Sequence, residues 1–356
     1  LKSQHLSQPK VFGVALDVSD DEKTLRLKHA YMEAQQRGML DFDTDPYDAL
    51  ALFLIDANER IAAAGKVSIP TWLSPRPDIS DSLLVKKENM ENFVASGGLL
   101  ECSRVVKKYV KETILPDMPV MLGVDHSATG GVVSALCETL GKENLSILVL
   151  DQHFDGLPVS LRLEPELLSG MNAERPPDQR PLGMHDDDAY CCGNFWKHLI
   201  DNGTVCPEHL LFVGVSDYPE QQVPAEWEHF RNNYLKFEQL GCRFFPLKKF
   251  EGPYQGELEA FIDAHIATPY LYVSLDLDVG AYQCVHAARY MDNIGIDKDA
   301  LMHIAHSLTA LCRAKDIKLV GLDVMEFNMH FLGLKYLGDK RDETLTVAAD
   351  FIKSMI

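Results

Sequence analysis

Six short stretches of the chain are apolar at nearly every position: Val11–Leu16, Val120–Val124, Ser146–Leu150, Leu210–Val215, Tyr270–Leu275 and Lys318–Val324. A strand covered by helices on both sides buries both faces of its pleat, so such runs predict buried strands. Between them lie longer stretches whose apolar residues recur at helical spacing, namely Tyr47–Ala64, Glu88–Thr113, Gly131–Leu140, Ala225–Leu240 and Ala300–Lys315. The last is preceded by Asp297 and Asp299, which suit a helix start. Alternating strand and helix patterns predict an α/β fold, a three-layer α-β-α sandwich around a mainly parallel sheet. Ser74–Asp81 is rich in Pro and Ser and reads as a loop. Glu164–Asp188 is rich in Pro, ends in three consecutive aspartates and reads as a long surface loop, the kind that tends to carry function. Residues 1–115 fit the alternation least. They are expected to add a partly helical layer to a single domain spanning residues 1–356.

Composition narrows the function. Lys and Arg total 34 against 53 Asp and Glu, a net charge of −19 on 356 residues. So acidic a surface repels phosphate, which argues against a nucleic acid or an anionic membrane as partner and suits a small cationic substrate. The longest apolar stretch, Ala49–Ile55, ends at Asp56 and is far too short to cross a bilayer. The first residues lack a signal-peptide core. Eight cysteines without a Cys-x-x-Cys pair suggest neither a disulfide framework nor a zinc knuckle. The expected setting is cytoplasmic, with reduced thiols.

The acids and imidazoles gather where predicted strands end. Asp125-His126-Ser127 follows the second run, Asp151-Gln152-His153-Phe154-Asp155 the third, and Asp276-Leu277-Asp278 the fifth. Ligands of open parallel sheets bind beyond the carboxyl ends of the strands, so the three clusters can share one site. Residues two apart in an extended chain project to the same face, which groups Asp151, His153 and Asp155, and likewise Asp276 and Asp278. A lone Asp-x-Asp at a strand end is usually a turn or a cap. Several carboxylates converging in a desolvated cleft are different, since they repel one another unless cations are present. Two divalent ions balance four carboxylates, with His126 and His153 as neutral ligands. Oxygen-rich ligation without thiolate favours Mn over Cu, and shared carboxylates favour a Mn or Fe pair over a lone Zn.

These segments resemble the arginase/agmatinase (ureohydrolase) superfamily. Gly123-Val124-Asp125-His126-Ser127 is similar to its Gly-Gly-Asp-His-Ser motif, Asp151–Asp155 to its Asp-Ala-His-x-Asp motif, and Ser274–Asp278 to its Ser-x-Asp-x-Asp motif. The resemblance implies an arginase-like fold and two Mn2+ per chain. One ion would be held by His126, Asp151, Asp155 and Asp276, the other by His153, Asp151, Asp276 and Asp278. It further implies hydrolysis of a linear C–N bond in a guanidino or amidine substrate, releasing urea and an amine, with Asp155 among the catalytic residues. A homo-oligomer, trimer or hexamer, is the family habit. Asp323-Val324-Met325-Glu326 looks like the family's Asp-Val-x-Glu motif and makes Glu326 the candidate acceptor of a substrate guanidinium. Asp217 stands where some members place a carboxylate for the substrate's amine end.

Three departures bear on the substrate. After Asp278 the family's Asp-Pro and Gly-Thr-rich loop is replaced by a segment offering His286 and Arg289. Cys192 stands at the position of the family's proton-shuttling His, with His185 and His198 nearby in sequence. An unperturbed thiol is a weak acid for that task. The specificity loops of the first hundred residues have no counterpart. Intact ligands beside an altered shuttle position also fit a member with changed or lost activity, such as an amide hydrolase or a non-catalytic regulator.

Overall fold

A computed structural model gives the architecture and describes residues 8–19, 21–39, 43–157, 189–219, 223 and 227–356. Eight strands, β1 (Pro9–Val14), β2 (Ala62–Lys66), β3 (Met118–Gly123), β4 (Leu145–Leu150), β5 (Leu210–Val213), β6 (Arg243–Phe245), β7 (Tyr270–Asp276) and β8 (Lys318–Met325), form one sheet. Their order is β2-β1-β3-β8-β7-β4-β5-β6, and every pairing is parallel. Along β4, Leu145, Ile147 and Val149 face one apolar cluster, while Leu148 and Leu150 face the other. One face is covered by α1 (Glu22–Gln36), α3 (Lys87–Ala95), α4 (Gly98–Tyr109), α5 (Thr129–Leu140), α6 (Phe195–Asp201) and α7 (Glu228–Leu240). The other is covered by α2 (Pro46–Ala57), α8 (Gln255–His265), α9 (Lys298–Lys315) and α10 (Thr344–Met355). This is the three-layer sandwich that the alternation predicts.

The departures from the sequence pattern have local causes. The stretch predicted as one helix from Tyr47 to Ala64 stops at Ala57, and Ala62–Lys66 becomes edge strand β2 on β1. Pairing with the open edge of β1 outweighs the helical preference of its alanines. The stretch Glu88–Thr113 divides into α3 and α4 at Gly97, whose φ of +82° is a left-handed turn that glycine takes without strain. The early residues do not stack as an added layer. Their strands β1 and β2 extend the common sheet, and α1 to α4 join its two existing layers. The predicted acidic loop, Glu164–Asp188, lies outside the described residues.

The strand order positions the site. The chain passes from β3 across to β4, then returns through β7 to β8 in the gap between them. β3, β8, β7 and β4 are therefore the four central strands. Their carboxyl ends sit where the winding direction changes, the usual place for a crevice in such sheets.

Candidate metal centre

Each strand-end aspartate does two jobs. Asp125 Oδ1 accepts from the Ser127 amide at 3.0 Å, Asp151 Oδ1 from the His153 amide at 2.5 Å, and Asp276 Oδ1 from the Asp278 amide at 3.0 Å. These are ordinary side-chain-to-backbone turns. In Asp151 and Asp276 the turn pins one oxygen and thereby aims the other. His126 Nδ1 lies 3.4 Å from Asp151 Oδ2, 3.1 Å from Asp155 Oδ2 and 3.0 Å from Asp276 Oδ2. His153 Nδ1 lies 2.7 Å from Asp278 Oδ2 and 3.8 Å from Asp151 Oδ1. Two donor sets result, His126–Asp151–Asp155–Asp276 and Asp151–His153–Asp278, each with its atoms within 4.8 Å of one another and Asp151 common to both. Asp155 reaches its place with φ +52°, a conformation non-glycine residues seldom adopt and one that clusters at functional sites.

The electrostatics fit a cation. Burial, then repulsion from Asp155, Asp276 and Asp278, pushes the Asp151 carboxyl well above the usual range. Burial and Asp276 raise Asp278 to about 7. Burial opposes a charge on His126, yet contacts with Asp151, Asp155 and Asp276 override it and hold its pKa well above the ordinary imidazole value. Asp151 Oδ2 is buried and makes no hydrogen bond among the described residues. A crowded carboxylate set with an unused buried oxygen is a donor set suited to divalent metal. The supporting contacts agree. His126 Nε2 lies 2.9 Å from Ser274 Oγ, which donates to Asp323 Oδ1 at 2.6 Å. Thr129 Oγ1 donates to Asp323 Oδ2 at 2.7 Å, and the Tyr272 hydroxyl bonds the same oxygen. Such outer partners orient a ligating imidazole. His153 Nε2 stands 3.1 Å from Asp292, an acid on the loop after Asp278 that no motif singles out.

Glu326, at the end of β8, is buried beside this cluster with φ +65°. Its Oε1 accepts the His126 amide at 3.1 Å, and its Oε2 faces Arg289 Nε at 3.7 Å. Of the two residues offered by the replaced loop, Arg289 therefore joins the centre. His286 does not: it stacks on Tyr336 at 3.8 Å and lines a separate cavity of about 310 Å³ with Lys298 and Arg341. Arg289 also reaches Asp17, which follows β1 and is paired with the fully buried Lys28. Asp17 obeys the same strand-end rule as the other acids and is discoverable on that ground. Lys28 carries no such signal, since it sits in an amphipathic helix where lysines are normally exposed. Asp217 is held by the Tyr234 hydroxyl at 2.5 Å. His198, on α6, packs edge-on against Tyr190, and His185 lies outside the described residues.

Cys192 occupies the turn before α6 and is partly buried. Burial, then the carboxylates of Asp125 and Glu326, raises its thiol well above the ordinary value, so it stays protonated. Cys192→Ser is expected to leave turnover within a few-fold. A loss of about 10² or more in kcat would instead make the thiol a proton carrier.

Acid behaviour follows from Asp17. Burial opposes its ionisation, but Lys28 and Arg289 override this and hold its carboxyl at about 2. A carboxyl more acidic folded than unfolded lends stability that is complete above about pH 5 and is lost as pH falls towards 2. The stability gap between wild type and Asp17→Asn should therefore be constant above about pH 5 and close towards pH 2. A gap independent of pH would contradict the pairing.

The ends of the four central strands of this parallel α/β sandwich gather a buried carboxylate–imidazole cluster that could hold metal ions. The chain belongs to the Arginase family, whose model matches residues 53–356. Among solved structures it is similar to the arginase of Bacillus subtilis, at 16% identity over 98% of both chains with a TM-score of 0.58. The proclavaminate amidino hydrolase of Streptomyces clavuligerus is 16% identical over 98% of this chain and 90% of its own, TM-score 0.56. The agmatine ureohydrolase of Thermoplasma volcanium is 15% identical over 100% and 90%, TM-score 0.53. These likenesses establish the shared fold. No curated protein matches the sequence. Among the described residues, no helix is long and apolar enough to cross a membrane.

Proposed function

We propose that the protein is a binuclear manganese-dependent hydrolase of linear C–N bonds, of the amidine, guanidine or amide class. The observation that carries this reading is the pair of donor sets sharing Asp151 at the carboxyl ends of the central strands β3, β7 and β4. His126, Asp151, Asp155 and Asp276 would hold one ion, and His153, Asp151, Asp276 and Asp278 would hold the other. A metal pair in such a site supplies Lewis acidity and water activation at neutral pH. The chain's own groups do the rest. Ser274 and Asp323 orient His126, the turn amides fix Asp151 and Asp276, and Glu326 Oε2 offers an acceptor to an N–H of the substrate. The names of two similar structures, an amidino hydrolase and an ureohydrolase, support the C–N class. A homo-oligomer and a cytoplasmic setting belong to the same reading, and light scattering checks the first.

The test is a panel of guanidines, amidines, ureides and amides, scored for urea, ammonia and amine release with and without added manganese. The expected result is manganese-dependent cleavage within the panel, abolished by Asp276→Asn. A protein that takes up metal yet cleaves nothing in the panel would favour a non-catalytic family member.

A further inference from the structure

Arg289 is not a surface arginine. It is 8% exposed and held from three segments of the chain. Its Nη1 stands 3.0 Å from Asp17 Oδ1, and its Nη2 donates to Ser19 Oγ at 2.6 Å and to the Tyr290 hydroxyl at 2.6 Å. Its guanidinium lies over the Tyr290 ring at 4.7 Å from the centroid. Its own amide donates to the Glu326 carbonyl at 2.9 Å, which ties this loop to the end of β8. From that position its Nε faces Glu326 Oε2 at 3.7 Å. Lys28 and Arg289 stand among the carboxylates of Asp17 and Glu326, with Asp125 also near Arg289, all five buried.

Resting on the reading of the centre as a C–N hydrolase, we propose that Arg289 determines its specificity. The arginine supplies the positive charge beside Glu326, so the reacting group the centre accepts is uncharged, a linear amide or ureide rather than a guanidinium. A second cation at Glu326 would stand within about 5 Å of a guanidinium that never loses its proton, in a site of low polarity. Among the described residues, Glu326 Oε2 is buried without a hydrogen-bond donor of its own. It has room to accept one N–H, which an uncharged amide supplies without adding charge. Hydrolysis then adds water across the C–N bond, oxygen to the carbonyl carbon and a proton to the departing nitrogen, leaving an acid and an amine. The cationic substrate expected from the acidic surface and Glu326 is thus replaced by the protein's own cation.

Binding of matched probes decides the point independently of turnover: guanidinium against urea, and L-arginine against L-citrulline, followed by calorimetry and thermal shift at millimolar concentration. The wild type should bind neither cation more tightly than its uncharged counterpart. Arg289→Ala should gain affinity for guanidinium on the order of 100-fold, the scale of the repulsion removed, and be stabilised by it. Arg289→Lys, which keeps the charge, should show no gain. A wild type that prefers guanidinium to urea would overturn the proposal, and that measurement stands even where Arg289→Ala does not fold. An Arg289→Ala protein that folds but gains no affinity for guanidinium would overturn it equally. Absence of C–N cleavage across the substrate panel would sink the hydrolase reading while leaving this binding comparison intact.

Discussion

Replacing Asp151 with Asn should empty both proposed metal sites of a protein that is otherwise expected to take up two manganese ions per chain. The substitution is mild in shape: the amide oxygen can still accept from the His153 amide and keep the turn. What it removes is the charge on a residue common to both donor sets. Single-set changes should behave differently. Asp155→Asn should chiefly weaken the ion beside His126, and Asp278→Asn the ion beside His153, because each belongs to one set only. Asp323→Asn, one contact further out, should lower affinity by about 10- to 100-fold by releasing Ser274 and His126. Elemental analysis after dialysis against manganese reads all four variants, and loss of manganese-dependent turnover should follow the loss of ions. One tightly held zinc per chain, indifferent to Asp151→Asn, would refute the shared-carboxylate arrangement.

The second large effect is on stability and comes from Lys28. Its Nζ is fully buried, 3.3 Å from Asp17 Oδ2 and donating to the Asp17 carbonyl at 2.6 Å. Lys28→Met fills similar volume but leaves Asp17 with Arg289 as its remaining cation. Removing one partner of a buried pair costs about 3–5 kcal/mol, since the other charge stays desolvated. We expect a loss towards the lower end, because Arg289 still compensates Asp17. Denaturant midpoints measure it. Adding Asp17→Asn to Lys28→Met should recover much of the loss, the signature of coupled neighbours. The double variant also frees Arg289 to move towards Glu326, so it should leave guanidinium binding as poor as in the wild type. A loss under about 1 kcal/mol for Lys28→Met would mean that the pair is solvated.

The six clustered donor residues were legible because strand ends and two-residue spacing are local properties. Asp125, Asp151 and Asp276 each close a turn with their own backbone, so their placement needs little from the rest of the chain. The arginase-like sandwich was legible for a related reason: fully apolar strands and one-sided helices report their burial in their own residues. Edge strand β2 was hidden because Ala62–Lys66 has no apolar run and exists through its partner, Pro9–Val14. The division of the long helix at Gly97 carried a visible signal, a glycine within a helical pattern, that periodicity alone passes over.

The sequence by itself determined the architecture and the grouping of strand-end acids and imidazoles, since hydrophobic period and strand-end acids act over a few residues. Only the tertiary structure decided what surrounds them. It brought Asp17 and Lys28 from the first 28 residues and Arg289 from a loop some 260 residues later to one buried point beside Glu326. It also sent His286, three residues from Arg289, to a different cavity. Pairing of charges across such distances depends on which strands lie side by side, here β1, β3 and β8. That order is set by the packing of the whole sheet. No window of sequence contains it, and it is why the motif residues announce a metal centre while the charge beside Glu326 emerges only in the fold.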